Sequence, residues 1–211
     1  MHHPPLVVLG YSEAAMFLRK SPPLSVAGII SIHGSREFGV DATAPCRLDL
    51  RFDDVEIPIP NDQMAMLRAA SRRLWAEQNG LIEVPPARSD VEEVIQFAET
   101  VRAVDGLILC HCAGGMSRAP ATALVCLSVW GGPGTELECV TEIRRLRRGA
   151  VPHAGMIDFA DKCWAVSSRW LCGSVKRIDP LPVPDAERKT VPVPVFVRVP
   201  VFVSRCRMWG W

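Results

Sequence analysis

The sequence has no apolar run approaching the ~20 residues of a membrane-spanning helix, which excludes a bilayer span of that kind. It has no excess of either charge. Lys and Arg number 24 against 23 Asp and Glu, for a formal net charge of +1, so nothing in the balance points to nucleic acid or a membrane surface as a partner. Met1-His2-His3-Pro4-Pro5 lacks the basic region and apolar stretch of a secretory leader. The eight cysteines (46, 110, 112, 126, 139, 163, 172 and 206) therefore read as reduced, mostly core thiols of a cytoplasmic protein rather than as a disulfide framework. Cys110 and Cys112 are one residue apart and no second pair follows, which is poor spacing for zinc; no metal site and no cofactor are expected. No internal repeat is present.

What the chain does contain is an alternation of apolar strands and amphipathic helices. Its 211 residues suffice for one domain and a tail. Leu6 to Gly10 reads as a strand, followed by a helix capped by Ser12 and running to about Arg19. Val26 to Ile32 is apolar enough for the middle of a parallel sheet, and His33 falls in a solvated loop after it. Cys46 to Ile57 alternates, as a strand near an edge does. A helix is expected from about Gln63 to Glu77, with apolar Met64, Met66, Leu67 and Leu74. Ser89-Asp90 caps another over Val91 to Val104, with a stripe of Val91, Val94, Ile95, Ala98 and Val101. Leu107 to Leu109 is a short buried strand and Ala119 to Trp130 a helix. Thr135 caps Glu136 to Arg148, whose Arg144, Arg145, Arg147 and Arg148 read as a solvated helix end before they read as a docking face. A last helix spans Met156 to about Leu171. From 173 on, prolines at 180, 182, 184, 192, 194 and 200 interrupt a valine-rich segment. The expected organisation is an α/β domain over 5–172, with a mainly parallel sheet of four to five strands between layers of helices, and an extended, irregular tail over 173–211.

The chemistry concentrates in Cys110-His111-Cys112-Ala113-Gly114-Gly115-Met116-Ser117-Arg118. A cysteine opens a glycine-bearing loop between a buried strand and a helix N-terminus, and an arginine closes it. Unpaired N–H groups and the positive end of the helix dipole suit an oxyanion there. The same field favours a thiolate at Cys112, which makes it a nucleophile. Arg118 can grip two phosphate oxygens, and Gly114 and Gly115 let the backbone curl until its N–H groups point inward. The loop sits at the carboxyl end of a central strand, where open α/β sheets bind ligands.

His111, Cys112, five residues and Arg118 resemble the signature of the cysteine-dependent protein tyrosine phosphatases, and Gly115-Met116-Ser117-Arg118 looks most like their dual-specificity branch and its bacterial relatives. The likeness covers about residues 5–172, including the alanine-rich helix from Ala119 and the closing segments from Glu142 to Asp161. It implies a phosphatase acting on a phosphotyrosine or mixed phosphoprotein substrate, or on a small phosphate ester, through a phospho-cysteine intermediate. Cys112 is then the nucleophile. Arg118 and the backbone of Ala113, Gly114, Gly115, Met116 and Ser117 bind phosphate, and His111 supports the loop. The charge stabilisation comes from the loop and Arg118, so the reading requires no metal.

The leaving oxygen needs a proton, which a rim carboxyl can give and later recover from water. The family places that acid upstream, after a neighbouring strand. Leu50-Arg51-Phe52-Asp53-Asp54-Val55 looks like that place; Asp54 is the first candidate, Asp53 the second and Asp62 the third, while Asp90 reads as a cap. Two departures from the family stand out. Ala119 replaces the hydroxyl residue that many members carry after the arginine, which bears on breakdown of the phospho-cysteine and not on phosphate binding. The segment between Asp54 and Ser89 is long and carries an extra helix. The rival reading is a non-catalytic module that binds phosphate or phosphopeptides; thiol redox chemistry at Cys110 and Cys112 is a third.

Overall fold

The computed structural model describes residues 3–20, 25–56, 58 and 63–163. Four strands, β1 (Leu6–Gly10), β2 (Val26–His33), β3 (Cys46–Arg51) and β4 (Leu107–Cys112), form a parallel sheet in the order β1-β4-β2-β3. Six helices accompany it among the described residues: α1 (Tyr11–Arg19), α2 (Gln63–Gln78), α3 (Arg88–Val101), α4 (Arg118–Gly131), α5 (Glu136–Leu146) and α6 (Ala154–Cys163). β4 is interior, paired with β1 from Leu6 opposite Ile108 to Gly10 opposite Cys112, and with β2 up to Ser31 opposite His111. All six of its residues are buried, as a parallel strand covered on both faces requires.

Side-chain alternation along the strands separates two cores. Val8, Ile30, Leu50, Ile108, Cys110 and Cys112 face the larger one, built with α3, α4, α5 and α6. Val7, Leu9, Ile29, Leu107 and Leu109 face a smaller one closed by Ala14 and Phe17 of α1 and by Val40. α4 is buried over almost its whole length, so the helix that leaves the candidate loop is fixed from every side.

Several local expectations are corrected. β3 ends at Arg51, not near Ile57, because its partner β2 ends at His33 opposite Arg51 and the Asp53 N–H turns to Val84 O instead. α1 begins at Tyr11, and its opening turn is closed by Glu13, whose carboxylate accepts the Gly10 N–H at 2.7 Å; Ser12 is inside the helix. α3 begins at Arg88 for the same reason, with the Asp90 carboxylate accepting the Ala87 N–H at 2.6 Å. A carboxylate three residues into the helix does the work expected of a serine cap. His33 is the last residue of β2 and is buried, not solvated. α2 forms where expected, but Met64, Met66, Leu67, Leu74 and Trp75 are each more than half exposed, and Ala76 is the buried residue of its described side chains. Asp62, the closing turns expected up to Leu171 and the tail over 173–211 lie outside the described residues.

Candidate active site

The loop from Cys112 to Arg118 leaves the end of β4 and enters α4. Its carbonyls are drawn outward. Ala113 O accepts the Tyr11 N–H at 3.0 Å, Met116 O the Val151 N–H at 2.8 Å and Ser117 O the His153 N–H at 3.3 Å. Gly114 O accepts from the Arg147 guanidinium at 3.1 Å. A backbone whose carbonyls point out presents its amides to the inside, and the Gly115 N–H reaches the Cys112 sulfur at 3.2 Å. Gly115 makes this curl possible. Its φ is +68°, and a Cβ there would lie 2.5 Å from Gly10 N and from Leu9 C, so the loop also rests directly on the backbone of β1.

Arg147 belongs to the arginine cluster at the end of α5 and is not a solvated helix end. It pairs with Glu13 at 2.7 Å while donating to Gly114 O, tying α1 to the loop. Arg145 is engaged by Glu142 on its own helix at 2.6 Å.

Arg118 is 4% exposed. Its guanidinium donates to Phe52 O at 3.0 Å and meets both carboxylate oxygens of Glu37 at 2.9 Å. Burial alone would make Arg118 easier to deprotonate, but the bonds and charge of Glu37 outweigh it and hold its pKa above the ordinary value. Glu37 answers in kind: burial pushes its carboxyl up, and Arg118 together with the Gly34 N–H more than reverses this. Arg118 Nε is buried without a partner among the described residues, which leaves the fork a donor to offer a ligand.

Asp54 and Asp53 are neighbours with unlike surroundings. Asp54 is 46% exposed and accepts the Ser117 hydroxyl at 2.8 Å, which puts its carboxylate at the lip of the loop. His153 Nε2 stands 3.8 Å from the same oxygen. Asp53 is consumed by the backbone: its two oxygens accept the Ser35 N–H at 3.1 Å and the Val84 N–H at 2.8 Å, and its own N–H donates to Val84 O at 2.6 Å. Asp90 is occupied by the Ala87 N–H at the start of α3.

His111 lies on the face of β4 opposite to Cys112, with its ring centroid 6.3 Å from that of Tyr11. Neither ring nitrogen makes a hydrogen bond of standard geometry among the described residues, but the Cys112 backbone lies close enough to favour its charged form. Burial first, then the charge of Arg47, pushes its pKa down to about 4. Cys110 is fully enclosed, with its thiol 3.3 Å from Ala119 O. Burial raises its pKa well above the ordinary value, which leaves it a poor partner for thiol exchange.

The sequence reading thus places Cys112, the loop, Arg118 and Asp54 together, and leaves out Glu37, Arg147 and His153. Glu37 stands in a patternless stretch between β2 and β3 and carries no local signal. Arg147 was visible as part of a charge cluster, and His153 as a polar residue directly after Pro152 at the start of the last helix.

No family model matches the sequence, and no curated protein matches it. Solved structures similar to the chain include human DUSP28, at 17% identity, with 77% of this chain and 95% of that one covered and a TM-score of 0.49. DUSP15 matches at 18% identity over 85% of this chain and 95% of that one, with a TM-score of 0.48. OH1 from the Orf virus, described as a tyrosine phosphatase, matches at 15% over 79% and 85%, with a TM-score of 0.45.

Proposed function

We propose that this protein is a cysteine-dependent phosphatase of the dual-specificity-like kind, hydrolysing phosphate monoesters through a phospho-cysteine intermediate. The observation that carries the reading is the loop itself: carbonyls turned outward, the Gly115 N–H on the Cys112 sulfur, and a buried Arg118 with Nε unpartnered. A tetrahedral oxyanion is the ligand that such a cradle fits.

In the first step the Cys112 sulfur attacks phosphorus, a sulfur–phosphorus bond forms, and the ester oxygen leaves with a proton from Asp54. The loop amides and Arg118 hold the equatorial oxygens while charge redistributes. In the second step water attacks the phospho-cysteine, Asp54 takes its proton, phosphate departs and the Cys112 sulfur is restored. Glu37 fixes the plane of the Arg118 guanidinium. The substrate class is a phosphotyrosine or mixed phosphoprotein, with small phosphate esters as the simpler alternative.

Ala119 favours a second reading, a module that binds phosphorylated ligands without turnover, because no hydroxyl at that position assists departure of the sulfur. Hydrolysis of an aryl phosphate, measured with reductant and a metal chelator, separates the two. Turnover that resists the chelator, disappears in Cys112→Ser and falls sharply in Asp54→Asn is the expected result. A folded, inactive wild type whose melting temperature rises with vanadate or phosphate supports the binding module. Absence of both turnover and oxyanion binding defeats both.

A further inference from the structure

We infer that His153 is the positioning residue of the proposed acid: it clamps the Asp54 segment to the phosphate loop and so holds Asp54 where it can deliver its proton. This rests on the phosphatase reading. His153 touches both halves of the site. Its N–H donates to Ser117 O in the loop at 3.3 Å. Its ring Nε2 lies 2.9 Å from Val55 O, the carbonyl directly after Asp54. Ser117 Oγ donates to Asp54 at 2.8 Å and closes the circuit.

The tautomer follows from the partners. Nδ1 lies 3.4 Å from the Met156 N–H and is its acceptor, so the ring proton sits on Nε2 and is donated to Val55 O. The side chain is 3% exposed, against 46% for Asp54, so a rigid group steadies an open one. Burial lowers the His153 pKa, with the Asp54 charge opposing; the neutral ring is the form that can accept from Met156. Asp53 fixes the chain on the near side of Asp54, through Ser35 and Val84. His153 fixes it on the far side.

A clamp on the acid matters most when the leaving group needs a proton. The test compares kcat/KM for phenyl phosphate, a poor leaving group, with 4-nitrophenyl phosphate, a good one, in the wild type, His153→Ala and His153→Gln. His153→Ala is expected to lose about 10- to 100-fold more on the phenyl ester than on the nitrophenyl ester, part of the ~10²- to 10⁴-fold that general acid catalysis contributes. His153→Gln keeps an amide donor within reach of Val55 O and recovers most of that difference. In an Asp54→Asn background His153→Ala adds no selective loss. Equal loss on both esters, or a selective loss that persists without Asp54, overturns the assignment. If His153→Ala does not fold, His153→Gln and the shorter His153→Asn carry the test: the shorter amide must show the steeper leaving-group dependence, and equal dependence overturns the assignment. Turnover that survives Cys112→Ser, or an inactive wild type, defeats the phosphatase reading itself; a thiol-dependent enzyme with a flat His153 series defeats only the clamp.

Discussion

The two halves of the site are built unlike one another. The Cys112–Arg118 loop grows from an interior strand, is followed by a buried helix, and is held from outside by Tyr11, Arg147, Val151 and His153. The Asp54 segment hangs from the end of an edge strand, and its position depends on the Asp53 carboxylate and the His153 ring. On the proposed reading the difference separates two tasks. Binding a tetrahedral oxyanion requires many amides in fixed places, which a buried loop supplies. Passing a proton to varied leaving groups requires one carboxyl at the lip, open to solvent and steadied by its neighbours.

The sharpest way to break the contrast is at Gly115. Gly115→Ala places a Cβ against the β1 backbone at a positive φ. It is expected to destabilise the fold by about 3 kcal/mol or more and to abolish oxyanion binding, read as a lost vanadate-induced melting shift. An alanine variant with wild-type binding would show that the loop is not held by β1.

The second test inverts two adjacent carboxylates. Asp54→Ala is expected to lower turnover of a poor leaving group by about 10²- to 10³-fold while leaving the melting temperature within a degree or two. Asp53→Ala is expected to lose about 1–3 kcal/mol of stability as two backbone N–H groups lose their acceptor, and to lower turnover less than Asp54→Ala does, only through the looser placement of Asp54; differential scanning calorimetry reads this beside the kinetics. Similar profiles for the two variants would erase the distinction between acid and anchor.

A third prediction concerns pH. His111 is neutral in the folded protein down to about pH 4, whereas in the unfolded chain it takes a proton near pH 6.5. The unfolded state therefore binds the extra proton first. The stability contributed by the neutral ring is complete above about pH 6.5 and is lost as pH falls towards 4, by about 3 kcal/mol. His3, His33 and His153 are shifted in the same direction and steepen the loss. Urea midpoints from pH 7 to pH 4 should fall less steeply in His111→Asn, and an unchanged slope would rule out this origin.

The smallest effect is expected on α2. Leu74→Gln should change stability by less than about 0.5 kcal/mol, because the side chain is exposed, whereas Val94→Ala in α3 should cost about 1–3 kcal/mol by chemical denaturation. Equal losses would mean that α2 is packed in solution.

These contrasts also mark what a reader of the sequence can see. The loop was legible because its chemistry lies in seven consecutive residues between an apolar strand and a helix. β1, β2 and β4 were legible as short apolar runs, and β3 as an alternating edge. The partners of the site were not, because each acts across the fold: Glu37 meets Arg118, Arg147 meets Glu13 and Gly114, and His153 meets Val55. No periodicity encodes such pairs. α2 and α3 differ in how their apolar residues are arranged. α3 gathers Val91, Val94, Ala98 and Val101 into one stripe and buries it, whereas α2 carries Met64, Leu67 and Leu74 without so marked a stripe and leaves them exposed. A concentrated apolar side, more than the number of apolar residues, is what the pattern reads as core.

The pairing of β1 bears on how the protein is made. β1 is synthesised well before β4, its partner in the sheet, with Leu6 opposite Ile108. Until β4 has been synthesised, Leu6 to Leu9 have no strand to join and remain an apolar edge without a mate. The loop that rests on Leu9 and Gly10 cannot close earlier either. Folding of the site therefore waits on a strand about a hundred residues further along the chain, and is expected to be slow, as long-range parallel pairing is. Lengthening the chain between β2 and β4 should delay the appearance of activity after refolding more than it lowers final stability.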